Sequence, residues 1–305
     1  MSSKIILISG PTASGKSRLA IDLAKKFNGE IINADSMQVY KEIKILSARP
    51  TDLKKIKHHL YGFLSVKKNF SVGQWLKLAI PKIKKILINK KIPIVVGGTG
   101  LYFKCLIDGM VTIPKISKTI RNKIIAMHSQ LGNHRFYEKL TQLDPKCKLY
   151  LQSTDRQRMI RAYEVFLATK KSLYDWQAET KPNFDQNNFT KITLIPDRQY
   201  LHKKIITRSR KIICNKSIME VKKFLKLKLN KKLPANFIIG VKEISDYLEK
   251  KITKKKLIDY VIIRTRQYAK RQFTWQRGQM QDWTAFDDQK YSNLSKKVSL
   301  FVSKT

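Results

Sequence analysis

An apolar run, KIILIS (4–9), passes directly into GPTASGKS (10–17), and this junction restricts the fold more than any other stretch of the chain. Gly10, Pro11, Thr12, Ala13, Ser14, Gly15, Lys16 and Ser17 match GxxxxGK[ST], a loop that holds phosphate groups. The glycines let backbone amides approach phosphate oxygens, Lys16 brings a mobile positive charge, and the Ser17 hydroxyl can ligate a magnesium ion. Leu19, Ala20, Leu23, Ala24 and Phe27 follow at helical spacing. A helix therefore starts at the loop and directs its positive end at the anion. Strand, loop and helix in that order open an α/β parallel sheet.

EIINAD (30–35) reads as a second strand ending in a carboxylate. A right-handed crossover is expected to set it beside the first strand, with Asp35 on the sheet edge where α/β proteins bind ligands. The alternative for Asp35 is a cap on the turn that continues through Ser36. IPIVVGGTG (92–100) reads as a third strand ending in glycines, with Thr99 as a hydroxyl donor beside them. The expected fold is a P-loop type parallel sheet core flanked by helices.

No apolar run in the 305 residues approaches the roughly 20 needed to span a bilayer. KIILIS is too short for a secretory leader. Cys105, Cys147 and Cys214 stand far apart, which argues against a disulfide framework or a zinc site and fits a reducing cytoplasm. His58 and His59 have no third ligand nearby in sequence and read as structural.

The net charge of +41 favours a polyanionic partner, although most of it is lysine that solvated surfaces accumulate. The arginines are more selective: 7 of the 14 fall between Arg156 and Arg161 or between Arg264 and Arg277. In the first window Gln157, Arg158 and Arg161 share the polar side of an amphipathic helix. In the second, Arg264, Tyr268, Arg271 and Trp275 line one helical face, and Arg266, Lys270, Phe273 and Arg277 a second. Cations interleaved with aromatics suit phosphate pairing and base stacking together.

In order, GPTASGKS, INADSMQVY (32–40), HHLYGF (58–63), FSVGQW (70–75), VVGGTGLYFKCL (95–106), DRQRMIRAYEV (155–165), IIGVKEI (238–244) and TRQYAKRQFTWQR (265–277) make the chain resemble the bacterial tRNA dimethylallyltransferases, also called tRNA isopentenyltransferases. That resemblance implies transfer of a dimethylallyl group from dimethylallyl diphosphate to N6 of adenosine 37 in tRNA, with release of diphosphate. It implies Asp35 as general base, Thr99 close to the reacting centre, and Lys16 with the loop amides on the diphosphate. Mg²⁺ would sit at Ser17 and Asp35. Asp35, Ser36, Met37, Gln38, Thr99, Arg121, Gln157, Arg158, Arg161, Lys270, Arg271, Gln272, Phe273, Trp275 and Arg277 carry over as tRNA contacts, with the target base flipped out of its stack. The family often has arginine where this chain has Lys204, and lysine cannot make a two-pronged contact. Arg208 is the expected diphosphate cation instead. The segment 209–224 also lacks a glycine expected there.

Residues 1–112 and 191–305 are expected to form the core, and 113–190 an inserted, mainly helical tRNA-binding domain between Pro114 and the polar KPNFDQNNF (181–189). With no dimerisation stripe, a monomer is the default. A small-molecule kinase would share the loop and Mg²⁺ but would predict neither arginine window. An NTP-driven remodeller would need acidic residues that VVGGTG lacks, and a binding scaffold with an inactive loop sits badly with intact Lys16 and Ser17. ATP stays an alternative occupant on the loop pattern alone.

Overall fold

The computed structural model describes residues 4–50 and 56–305. They form two compact units, one running to Ile107 and resuming at Phe184, the other Asp108–Asn183. The insert thus begins at the end of a core helix rather than at Pro114. It ends before residue 190, because residues 189 and 190 already belong to a core strand.

The first part of the core comprises β1 (Ile5–Ser9), α1 (Lys16–Lys26), β2 (Gly29–Asn33), β3 (His58–His59), α2 (Val72–Ile88), β4 (Ile92–Gly97) and α3 (Gly100–Asp108). The insert contributes α4 (Lys118–Leu143), α5 (Cys147–Tyr150), α6 (Arg156–Thr169) and α7 (Leu173–Ala178). The core then continues with β5 (Phe189–Leu194), α8 (Arg198–Ile212), α9 (Asn215–Leu225), α10 (Val241–Leu248), α11 (Lys254–Gln279), β6 (Thr284–Phe286) and α12 (Tyr291–Lys304).

All six strands are parallel, in the order β3-β2-β4-β1-β5-β6. The expected neighbours β1 and β2 are therefore separated by β4. The apolar IPIVV of β4 is buried from Pro93 on, which suits a central strand covered on both faces. Because the strands stay parallel, Asp35 still emerges at the phosphate-loop edge. Successive side chains of β1 go to opposite faces. Ile5 and Leu7 join Trp75, Ile83 and Phe103 of α2 and α3, whereas Ile6 and Ile8 join Leu19, Leu23 and Val298 of α1 and α12.

Gly97 makes the β4–β2 contact possible. A Cβ there would lie 2.0 Å from the Ala34 carbonyl oxygen, a backbone atom that cannot swing aside. Gly97→Ala is expected to cost about 3 kcal/mol through overpacking, read as a lower midpoint in denaturant with an unchanged slope. The insert has its own core, in which Ile124, Phe136, Leu140, Met159 and Tyr163 are buried. Within it the buried Asp144 accepts hydrogen bonds from Ser172 Oγ (2.8 Å) and Cys147 Sγ (3.4 Å).

Candidate active site

The phosphate loop bends through Ala13 (φ 66°) and Gly15 (φ 91°). Gly15 caps α1 without any side-chain hydrogen bond, so the first-turn amides are left for an anion. Lys16 is buried and donates from Nζ to the Pro11 carbonyl at 3.0 Å. Burial lowers its pKa from 10.5 to about 8, against the opposing charge of Asp35 and with the help of the positive charge of Arg208. Arg208 is likewise pushed down by burial while Asp35 supports its charge. Two cations, Lys16 and Arg208, and the Asp35 carboxylate thus influence one another in a poorly solvated region. Lys204 is exposed, its Nζ 5.1 Å from the centre of the Tyr200 ring.

Asp35 lies two residues beyond β2 in a tightly braced turn. Its backbone N–H donates to Asn33 Oδ1 (2.9 Å), and its carbonyl accepts from Asn33 Nδ2 (2.9 Å). Its own Oδ1 accepts from Met37 N–H at 2.9 Å. This is the capping turn held open as the alternative for Asp35, and it fixes the carboxylate without using Oδ2. Thr99 is brought to the same turn. Its N–H donates to the Ala34 carbonyl (3.2 Å), and its Oγ1 accepts from Ser36 N–H (3.0 Å). Burial and the negative charge of Asp35 push the hydroxyls of Tyr61, Tyr102 and Tyr268 well above the usual tyrosine range.

α11 crosses this edge, and its buried Gln272 ties the loops together. Thr12 N–H donates to Gln272 Oε1 (2.8 Å), and Gln272 Nε2 donates to the Gly98 carbonyl (3.0 Å). Both ends of the amide are engaged inside the protein, so Gln272 is a strut between phosphate loop and β4 rather than a free RNA contact. One helical turn on, Trp275 packs so closely on Gly100 that a Cβ there would lie 2.1 Å from the indole. Arg264 is also engaged, donating to Glu243 Oε1 at 2.6 Å.

Lys270, Phe273 and Arg277 lie apart from that strut, with Arg198, His202 and Arg266, along a groove of about 800 Å³ between α8 and α11. Arg198, Arg266, Lys270 and Arg277 make the groove cationic, and burial, then Arg266 and Arg198, lower the His202 pKa against the charge of Asp197. Arg271 is exposed, with its guanidinium 5.7 Å from the centre of the Tyr268 ring. In the insert, Arg121, Gln157, Arg158 and Arg161 are all exposed. The buried Glu164 faces Arg121 Nε at 3.5 Å and Arg161 Nη1 at 3.6 Å, and Arg158 faces Asp155 at 3.8 Å.

Asn33 is the residue of this turn that the sequence reading does not single out. A fully buried asparagine ending an apolar strand, two residues before a carboxylate, was the available signal for Asn33.

A magnesium ion fits the donor set. Ser17 is exposed at the start of α1, Asp35 offers a carboxylate oxygen, and Ser14 Oγ is buried without a hydrogen-bond partner in the loop. Mg²⁺ takes few protein oxygens and completes its shell with phosphate and water. Among the described residues no three His, Cys, Asp or Glu side chains cluster as a metal site of their own. His58 Nδ1 is 2.8 Å from the Ile56 carbonyl, and His59 Nε2 is 2.7 Å from Glu30.

A glycine-rich loop at a helix N-terminus, with one carboxylate beside it and a basic helix across it, at the ligand-binding edge of a parallel sheet, is an arrangement suited to an anionic ligand. The sequence matches the IPP transferase family over residues 38–279 and the isopentenyl transferase family over residues 3–63. It is 52% identical over 298 residues to the tRNA dimethylallyltransferase of Pelagibacter ubique, covering 97% of this chain and 95% of that one. With the tRNA dimethylallyltransferase of Rickettsia massiliae it shares 45% over 284 residues, 91% and 77% of the two chains. The crystal structure of the tRNA isopentenylpyrophosphate transferase of Bacillus halodurans superposes with a TM-score of 0.71 at 30% identity, covering 99% and 96%. That of a eukaryotic dimethylallyltransferase acting on tRNA gives 0.81 at 27% identity, covering 93% and 73%. The chain belongs to the IPP transferase family and is an enzyme. No helix among the described residues is long and apolar enough to cross a membrane.

Proposed function

We propose that this chain transfers a dimethylallyl group from dimethylallyl diphosphate to N6 of adenosine 37 in tRNA, leaving N6-(dimethylallyl)adenosine and diphosphate. The observation that carries the reading is the electrostatic coupling of buried Lys16 with half-buried Arg208 and Asp35 at the sheet edge. Cations and a helix N-terminus suit a departing diphosphate, and a braced carboxylate suits an amine that must lose a proton. In this reading the Asp35 carboxylate takes the proton of the exocyclic amine as nitrogen attacks the allylic carbon. Lys16, Arg208 and the loop amides take up the charge of the leaving diphosphate. Mg²⁺ held by Ser17 and Asp35 would supply Lewis-acid stabilisation of that charge. Thr99 holds the turn that presents Asp35.

Exposed Lys270, Arg271 and Arg277, with half-buried Phe273, offer the phosphate and base contacts that an anticodon loop needs, and Arg121, Gln157, Arg158 and Arg161 offer more in the insert. Replacing both Arg158 and Arg161 with alanine is expected to weaken tRNA binding. It should also flatten the dependence of log K on log salt by about 0.7–0.9 for each phosphate that is no longer neutralised. Titration of labelled tRNA at several salt concentrations checks this, and an unchanged slope would return those arginines to neutralising Asp155 and Glu164.

The reading is tested by mass analysis of nucleosides after unmodified tRNA is incubated with the protein, Mg²⁺ and dimethylallyl diphosphate, beside an ATP-only control. A gain of one dimethylallyl group on adenosine without ATP is expected. ATP hydrolysis with no gain would assign the loop to a nucleotide.

A further inference from the structure

α9 lies in the segment 209–224, to which the catalytic reading gives no role. Its Glu220 makes an unusual set of contacts. Oε1 accepts from the backbone N–H groups of Lys44 (2.6 Å) and Ile45 (2.9 Å), and Oε2 accepts from that of Leu46 (3.0 Å). Three successive amides that converge on one acceptor form an anion-binding nest. Here the anion is a side chain of the same protein.

The nest lies on the segment that continues from Asp35–Gln38. That segment is latched at its near end by backbone bonds from Gly62 to Gln38, Leu64 to Val39, and Lys41 to Leu64 (2.8–2.9 Å). Beyond Lys41 the Glu42 carboxylate accepts from Ser65 Oγ (2.9 Å) and Val66 N–H (3.0 Å), and the bonds that follow are internal: Ala48 to Ile45, Arg49 to Lys44, and Ser47 Oγ to Ile43. Among the described residues, Glu220 is the hydrogen-bond partner that ties 44–46 to another element. Gln38 reaches across this self-closed turn, its Nε2 donating to the Ser47 carbonyl at 3.2 Å. The orientation of the Gln38 amide therefore depends on a carbonyl whose own backbone Glu220 holds. Asp35 does not share this dependence, because Asn33 and Thr99 brace its turn directly.

We propose that Glu220 is a positioning residue for target-base recognition, holding the 44–46 nest so that Gln38 is presented to the adenosine while Asp35 stays in place without it. This rests on the proposed reading in which Asp35 acts on the adenosine and Asp35–Gln38 contact the tRNA. Packing also holds this segment, with Ile43 and Leu46 buried in one apolar cluster with Val221 and Ile244. Leu46 rests on Gly240, where a Cβ would lie 2.5 Å from it, but an apolar contact has no directional preference for the amides.

The test is steady-state kinetics of Glu220→Ala and Glu220→Gln with both substrates varied. Glu220→Ala is expected to raise KM for tRNA about tenfold, the scale of one missing charge-assisted hydrogen bond, with kcat and KM for dimethylallyl diphosphate unchanged. Glu220→Gln keeps one acceptor oxygen and should fall between Ala and the parent. If the alanine variant does not fold, the glutamine variant is judged by the same split. A lower kcat with both KM values unchanged means fewer correctly folded molecules and overturns the proposal, as does a parallel rise in both KM values. Asp35→Asn is run alongside. If it abolishes transfer while Glu220→Ala leaves KM for tRNA unchanged, only the positioning role fails. If Asp35→Asn is fully active, the assignment beneath it fails.

Discussion

Asp35→Asn is expected to lower the rate of transfer at saturating substrates by about 10²–10⁴-fold, the range that a positioned general base contributes, with tRNA affinity close to the parent. Asparagine retains an Oδ1 that can accept from Met37 N–H, the one hydrogen bond the Asp35 side chain makes among the described residues. The backbone of the turn is held by Asn33 and Thr99, which the substitution leaves alone. The negative charge is removed, and with it the capacity to accept a proton and the electrostatic support of Lys16 and Arg208. Single-turnover measurement of product formation, with tRNA binding measured separately, checks both halves. Transfer at the parental rate would take the base role away from Asp35. A loss confined to tRNA affinity would make it a binding residue.

The contrast with Asn33 shows how much of this site was legible beforehand. GPTASGKS and INADSM declare themselves because their chemistry is local: a loop, a helix start and a carboxylate at a strand end are all set by neighbours in sequence. The sheet order was not legible in that way. The crossover rule constrains handedness, but β4, which arrives some sixty residues after β2, takes the central place through Gly97 and its close contact with Ala34. The same distinction applies within α11. Its two stripes follow from the helical repeat, yet the repeat does not say which members are already engaged. Gln272 is bonded to residues 260 and 174 positions away, and Arg264 to a glutamate on α10. Pattern identifies a face, whereas tertiary partners decide which side chains on it are free. Glu220 was hidden for the same reason, since its three partners lie about 175 residues upstream.

Lys16→Ala is expected to reduce kcat by about 10²–10³-fold, the cost of removing one preorganised donor from a developing oxyanion, and the pH dependence of the parent enzyme gives an independent check. In the free protein Lys16 Nζ donates to the Pro11 carbonyl, and burial holds its pKa at about 8. Below that value the ammonium is charged and attracts the diphosphate. Above it the amine is neutral, so kcat/KM for dimethylallyl diphosphate should fall as pH rises through about 8. A bound diphosphate adds negative charge beside the amine and raises its pKa. The limb should accordingly move to higher pH in kcat, which reports the complex rather than the free enzyme. Folding carries the opposite sign. Between about 8 and 10.5 the unfolded chain binds the proton that the folded chain has lost, so the contribution of Lys16 to stability rises with pH in that window. Donor affinity and stability are thus expected to move in opposite directions above pH 8, and both trends should vanish in Lys16→Ala. If the limb in kcat/KM persisted in that variant, a different group would be titrating and Lys16 would remain charged throughout.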